Sequence, residues 1–394
     1  MYTRAIQRSL QPSFPRAATP LHSSSSASRC QSSLPASYYR GGTSRAVFFN
    51  RADLPQSQDQ WAPIFRGVIG SPDPYGRQLD GMGGGISSLS KVCVVGQSTH
   101  PDADVDYTFA ALGVKNAEVD FSSNCGNMVS AVGPYAVDSG LFGSNNLREK
   151  GNAMVRIHNT NTGKIIHATF PLVDGEAASS GELAIDGVAG TAAPIQLDFI
   201  NPAGSRTGKL LPTGVVKDTF DGVEATCIDV ANPCVFVKAD DLNISGTLTP
   251  DEITATSDLL ERLDSIRRQA GVRMGLADAP GNVPGSVPKI GIISTPSKES
   301  SSKVDLVVRA LSVGQPHKAV PITVALALAT AARLEGSTVY EVTSLKKVDP
   351  SGTTIGHASG NILVGATFGE NGGLEFATVF RTARRLFEGR IFWK

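Results

Sequence analysis

The residues from Ser122 to Val137, SSNCGNMVSAVGPYAV, leave this chain few ways to fold. They open with small polar groups around Cys125 and then become apolar or small on every side. A helix with no hydrophilic face has to be enclosed by its domain. Its first turn carries backbone N–H groups without intrahelical partners and the positive end of the helix dipole. A cysteine at that point is favoured as thiolate and can act on a substrate. A second stretch of the same character, Ile322–Leu334, follows the polar turn Leu311-Ser-Val-Gly-Gln-Pro-His-Lys-Ala-Val320.

Each half of the chain offers strands, then a polar turn containing glycine, then one of these helices. The strands of the first half are expected at Ala36–Tyr39, Ala46–Phe49, Lys91–Val95, Val105–Val114, Asn152–Asn159 and Lys164–Phe170. A short surface helix is expected within Leu54–Phe65, stopped by Pro72-Asp-Pro74. The second half offers Val223–Val230, Ala231–Val237, Lys289–Ile293 and Val304–Ala310. An amphipathic helix runs there from Pro250 to Arg268 with Ile253, Leu259, Leu260, Leu263 and Ile266 as its stripe. The expected fold is α+β and duplicated: two similar domains, each a curled, mostly antiparallel sheet around a buried central helix. The two helix N-termini would face each other across a cleft that holds the site. The expected boundaries are 1–36 for a leader segment, 37–198 for the first domain and 199–394 for the second, with a last strand that crosses back.

Length and composition agree with two domains. A chain of 394 residues exceeds one ordinary core, and 41 glycines with 23 prolines imply many tight connections. The formal net charge is zero and the body of the chain has no basic block, which argues against nucleic acid as a partner. No apolar run is long enough to span a bilayer. The cysteines at 30, 93, 125, 227 and 234 contain no C-x-x-C pair, so no metal site is expected. The first forty residues carry Arg4, Arg8, Arg16, Arg29 and Arg40, many serines and no acid, as a mitochondrial transit peptide does. The expected location is the mitochondrion, with the cytoplasm as second choice and cleavage near Arg29–Ser33.

Two opposed helix N-termini make a pocket for small acids. Cys125 is the leading reactive group: its neighbours Asn124, Gly126 and Asn127 are poor core formers, although a cysteine there could simply fill a turn. Lys91 stands at the start of the valine strand behind Gly81-Met-Gly-Gly-Gly-Ile-Ser-Ser, whose backbone can line a site; its plainer role is that of a surface lysine. His317, with Ser312 and Gln315 in its turn, is placed to donate to a carboxylate or to cap the helix. Cys93 and Cys227 read as core.

Six motifs in order then resemble one family. They are Arg40-Gly-Gly-Thr-Ser44, Gly84-Gly-Ile-Ser-Ser-Leu-Ser-Lys91, Asn124-Cys-Gly-Asn-Met128, Asn232-Pro-Cys-Val235, Gly314-Gln-Pro-His-Lys-Ala319 and Gly356-His-Ala-Ser-Gly360. The chain from about residue 37 onward is similar to the PrpF family of methylaconitate, aconitate and methylitaconate isomerases. The resemblance implies a diaminopimelate-epimerase-like fold, no cofactor, and a lysine and a cysteine as proton-transfer pair, here Lys91 and Cys125. It implies substrate contacts from Thr43, Ser44 and Arg45; Gly85, Ser87 and Ser88; Asn124, Gly126 and Asn127; and Ser312, Gln315 and His317. Two positions depart from the family pattern: Arg45 replaces a lysine, and Val313 replaces a methionine.

The reaction so implied is isomerisation of an unsaturated tricarboxylate by moving a proton on carbon. Conversion of cis- to trans-aconitate or cis–trans isomerisation of 2-methylaconitate comes first, and a methylitaconate-type double-bond shift is the alternative. From another class, an accessory protein that binds such acids for a dehydratase without turning them over fits the same pocket. An amino-acid epimerase is disfavoured because the second helix start lacks a cysteine. A small tricarboxylate is the expected partner, and a homodimer is left open.

Overall fold

Each of the two apolar segments becomes a helix sealed inside a curled sheet. In the computed structural model, which describes residues 32–143, 151–350, 352–370 and 373–394, strand β1 (Ser32–Gly41) turns into β2 (Ser44–Asn50) as an antiparallel hairpin. Strand β3 (Lys91–Gln97) lies parallel to β2 and antiparallel to β4 (Val105–Leu112), which leads to the short β5 (Val119–Asp120). Between β2 and β3 runs helix α1 (Trp61–Ile69), and after β5 comes helix α2 (Gly126–Asp138). The hairpin of β6 (Asn152–Asn159) and β7 (Lys164–Val173) sets β6 parallel to β4, and β8 (Ile195–Ile200) pairs antiparallel with β7.

The second half repeats that plan pairing by pairing. Strands β9 (Val223–Val230) and β10 (Asn232–Lys238) form a hairpin. After helices α3 (Pro250–Ala255) and α4 (Ser257–Arg273), β11 (Lys289–Ser294) lies parallel to β10 and antiparallel to β12 (Leu306–Ser312). The short β13 (Gln315–Pro316) precedes helix α5 (Ile322–Ala331). Strand β14 (Thr353–His357) is parallel to β12 and forms a hairpin with β15 (Gly360–Phe368), which pairs with β16 (Leu374–Arg381). The halves are stitched together twice: β16 also pairs with β8, and β17 (Ala383–Trp393) runs back along β1 from Ser32 to Gly41. Residues Ser32–Lys394 form one compact unit.

The core follows from the two helices. Every residue of α2 from Gly126 to Val137 is buried, and so is every residue of α5. Their N-termini meet: a Cβ added at Gly126 would lie 2.7 Å from Cβ of Ile322. Only a residue without a side chain permits that approach.

Three local expectations change. The first-half helix starts later than Leu54 and is not a surface element, because Trp61, Ile64, Phe65, Val68 and Ile69 recur at helical spacing and are all buried. It ends at Gly70, whose left-handed φ of 77° accepts the cap, before Pro72 is reached. The helix expected from Pro250 to Arg268 is broken at Thr256 and continues to Arg273; a capping box at Thr249 and Glu252 fixes its start. The leader segment falls outside the described residues up to position 31, together with Cys30. Residues 32–36, assigned to it from sequence, belong to β1. Among the described residues no helix is long and apolar enough to cross a membrane.

The meeting of the helices is testable. Gly126→Ala should lower stability by about 1–3 kcal/mol in urea unfolding, the usual cost of overpacking a fitted core. It should also lower activity, since the added methyl drives the two helix starts apart. An unchanged unfolding midpoint would mean that the helices are not pressed together there.

Candidate active site

Among the described residues no side chain caps either buried helix. Residue Cys125 occupies the N-cap of α2 with extended backbone, and Pro321 occupies the N-cap of α5; neither side chain accepts a hydrogen bond from the first turn that follows it. The first N–H groups of both helices are thus left to whatever enters between them. The space at their meeting point is a cavity lined by Ser44, Ser87, Lys91, Phe109, Ser123, Asn124, Cys125, Gly126, Asn127, Ser286, Lys289, Ser312, Val313, His317, Ile322 and Thr323, among others.

Three elements carry the reactive groups. Cys125 is part-buried at the head of α2. Lys91 is the first residue of β3, 8% exposed, with its ammonium 5.3 Å from the centre of the Phe109 ring. His317, between β13 and α5, donates its backbone N–H to the carbonyl of Ala310 at 2.8 Å. Its Nε2 is closed off from solvent, with no hydrogen-bond partner among the described residues. Burial, then the ammonium charges of Lys91 and Lys289, push its pKa down to about 3. The ring is therefore neutral at working pH and can serve as donor or acceptor toward a ligand.

The helix starts are held in register by amides. Asn232, at the head of β10, accepts from the backbone N–H of Asn124 at 3.0 Å and donates to its carbonyl at 2.7 Å. The same Nδ2 lies 3.4 Å from Oγ1 of Thr323 in the first turn of α5. Asn159 donates to the Asn124 side chain at 3.0 Å. One buried asparagine thus joins the loop before α2 to the start of α5, which explains the conspicuous Asn232-Pro-Cys-Val segment.

Of the positions expected from sequence, nine line the cavity: Ser44, Ser87, Lys91, Asn124, Cys125, Gly126, Asn127, Ser312 and His317. Five stand outside the lining. Thr43 accepts from Nδ2 of Asn127 at 3.1 Å, one layer back. Gln315 accepts from the N–H of Ser87 at 3.0 Å and ties the glycine-rich loop to the second half. Gly85 donates to Oε1 of Gln78 at 2.8 Å in a left-handed conformation, φ 73°, that favours glycine. Ser88 sits in the 3-10 turn Ser87–Leu89. Arg45 follows Ser44 on a strand, so it points to the opposite face, with its guanidinium 5.7 Å from the Tyr38 ring.

A match to the family model described as PrpF protein covers residues 31–394. The chain belongs to the PrpF family. It is 39% identical over 379 residues to the 3-methylitaconate isomerase of Eubacterium barkeri, spanning 92% of this chain and 97% of that one. To the 2-methyl-aconitate isomerase of Cupriavidus necator it is 37% identical over 389 residues, again 92% and 97%. A crystal structure of a methylitaconate-delta-isomerase superposes with a TM-score of 0.73 at 38% identity, covering 92% and 96%. The PrpF membership and the helix-in-sheet halves agree on the diaminopimelate-epimerase-like fold expected from sequence.

Sequence reasoning missed several residues of this PrpF-family site. Lys289, Ser286, Thr323 and Ser123 line the cavity, and Asn232 organises it. Lys289 had a readable signal: it opens Lys289-Ile-Gly-Ile-Ile293 as Lys91 opens Lys91-Val-Cys-Val-Val95.

The neutral His317 gives a pH prediction. Below pH 6.5 the unfolded chain takes up a proton that the folded ring resists until about pH 3. Stability therefore falls as pH drops through that window. His317→Gln should make the urea midpoint less dependent on pH between 6.5 and 4. Equal slopes for wild type and variant would show that the ring is not held neutral by the fold.

Proposed function

We propose that this protein isomerises an unsaturated tricarboxylate by proton transfer on carbon, with Lys91 and Cys125 as the acid–base pair. The observation that carries the reading is the sharing of one cavity by Cys125, Lys91 and two helix N-termini without side-chain caps among the described residues. Those N-termini favour carboxylates, and the pair supplies groups that can take and return a proton. Relatives named for isomerisation of 2-methylaconitate, a tricarboxylate, and of 3-methylitaconate, a dicarboxylate, support an unsaturated polycarboxylate as substrate, and the first supports a tricarboxylate.

In this mechanism one member of the pair removes a proton from the carbon beside a carboxylate. The electron pair left behind spreads into that carboxylate directly and, through the adjacent double bond, into the carboxylate at its far end as a dienolate. Backbone N–H groups of the two first turns stabilise the new charge where it develops. The former double bond has lost double-bond character, so the chain can turn about it or the alkene can move. The return of a proton to either end of the allylic system completes the reaction. Conversion of cis- to trans-aconitate or cis–trans isomerisation of 2-methylaconitate is the first reading, and a methylitaconate-type double-bond shift uses the same dienolate. An epimerase with two thiols is disfavoured by Pro321, which holds the N-cap position that Cys125 holds in the other half. We place the enzyme in the mitochondrion on the arginine- and serine-rich composition of the leader.

Proton NMR of the enzyme with cis-aconitate in deuterium oxide tests the reading. Deuterium should enter the methylene position as the product appears. Cys125→Ser and Lys91→Ala should each slow this by roughly 10²–10⁴-fold while the protein stays folded, the range typical of a lost acid–base group. Near-wild-type exchange in either variant would remove that residue from the pair.

A further inference from the structure

We infer that Lys289 is a second substrate-contacting ammonium, the counterpart of Lys91 in the other half, which pairs with the carboxylate that receives the dienolate charge. The inference rests on the isomerase reading for its chemistry and on the duplicated fold for its location.

The pairing registers show the equivalence. Lys91 is the first residue of β3, which lies parallel to the second strand of its hairpin and faces Ala111 at the end of β4. Lys289 is the first residue of β11, parallel to the second strand of its own hairpin. The pairing of Ile290 with Leu311 sets Lys289 beside Ser312 at the end of β12. In both halves the strand that follows runs through a short pairing into the buried helix. The fold has thus copied the lysine and not the cysteine.

Lys289 is buried with little opposing charge around it. Its side chain is 6% exposed. One bond among the described residues holds its ammonium, from Nζ to the carbonyl of Ser286 at 3.1 Å. Among the described residues no carboxylate forms an ion pair with Lys289 or with Lys91. Asp120, the carboxylate that acts on Lys289 electrostatically, is engaged by the N–H groups of Ser122 at 2.6 Å and Ser286 at 3.3 Å. Two buried ammonium groups without counter-charge in one cavity are costly, and a ligand carrying several carboxylates removes that cost. A neutral His317 with an unpartnered Nε2 lines the same wall.

The role follows from charge flow. When the proton leaves carbon for the Lys91–Cys125 pair, negative charge accumulates on a carboxylate across the conjugated system. An ammonium already paired with that carboxylate gains attraction in the transition state, without forming or breaking a covalent bond. Burial lowers the pKa of Lys289 to about 8, against the opposing influence of Cys234 and Cys125, with Lys91 adding to the fall and Asp120 resisting it. Neutral His317 also faces the cavity. Binding of a carboxylate restores the charge, so ligand binding at pH 8 draws in protons.

The test uses the full chain with Lys289→Met and Lys289→Arg. The readouts are turnover of cis-aconitate, calorimetric binding of tricarballylate at pH 8 in two buffers of different ionisation enthalpy, and ligand-free Tm. Tricarballylate is a saturated tricarboxylate that has no alkene to isomerise. Lys289→Met should keep or raise the ligand-free Tm, since it removes an unpaired buried charge. It should slow kcat by roughly 10²–10³-fold, weaken tricarballylate binding and reduce proton uptake; Lys289→Arg should recover part of the binding. Wild-type turnover or undiminished proton uptake in Lys289→Met overturns the inference. A Lys289→Met protein that unfolds, or loses stability in step with activity, also overturns it, because the lysine would then merely anchor the Ser286 loop. If the wild type turns over no unsaturated tricarboxylate yet takes up protons through Lys289 on binding tricarballylate, the isomerase reading fails and the binding role stands.

Discussion

The structure depends on the meeting of two helix N-termini that no side chain among the described residues caps. Burial of a helix start normally demands a partner for its free N–H groups. Here Gly126 lets α2 press against Ile322 of α5, and the N-cap positions go to a cysteine and a proline. Neither can accept the first-turn hydrogen bonds as a serine or aspartate would. The fold concentrates positive potential at one interior point, and two ammonium groups add to it.

Duplication explains how such a point arises. A sheet curled around one apolar helix has the helix N-terminus at its open end. Two such units joined end to end close both openings at once, through the β8–β16 and β1–β17 pairings. The seam between them is then the site, and each half supplies the same kinds of group from the same positions. Functional asymmetry enters by substitution: a thiol remains in the first half at Cys125, and the matching position of the second half is Pro321.

Much of this was legible in the residues. The apolar runs after Cys125 and before Leu334 admitted only buried helices, and their polar leads placed Cys125, Asn127, Ser312 and His317 near a shared space. Local periodicity also held the correct answer for α1, where Trp61, Ile64, Phe65, Val68 and Ile69 mark the face, although the flanking Leu54 and Pro72 suggested other limits. Strand alternation was enough to put Ser44 and Arg45 on opposite faces. What the sequence hides is long-range pairing. That Asn232 would reach Asn124 and Thr323, or that Gln315 would hold the backbone of Ser87, depends on contacts across more than ninety positions. Lys289 is an intermediate case, since its strand resembles that of Lys91, but only the register of β10 with β11 turns the resemblance into a place in the cavity.

A crystal structure of the enzyme with bound tricarballylate tests the central claim most directly. The account predicts carboxylate oxygens within about 3 Å of amide nitrogens in the first turns of both α2 and α5, with the ligand's carbon chain between Cys125 and Lys91. A tricarballylate bound elsewhere on the protein, with both helix starts left to water, would contradict it.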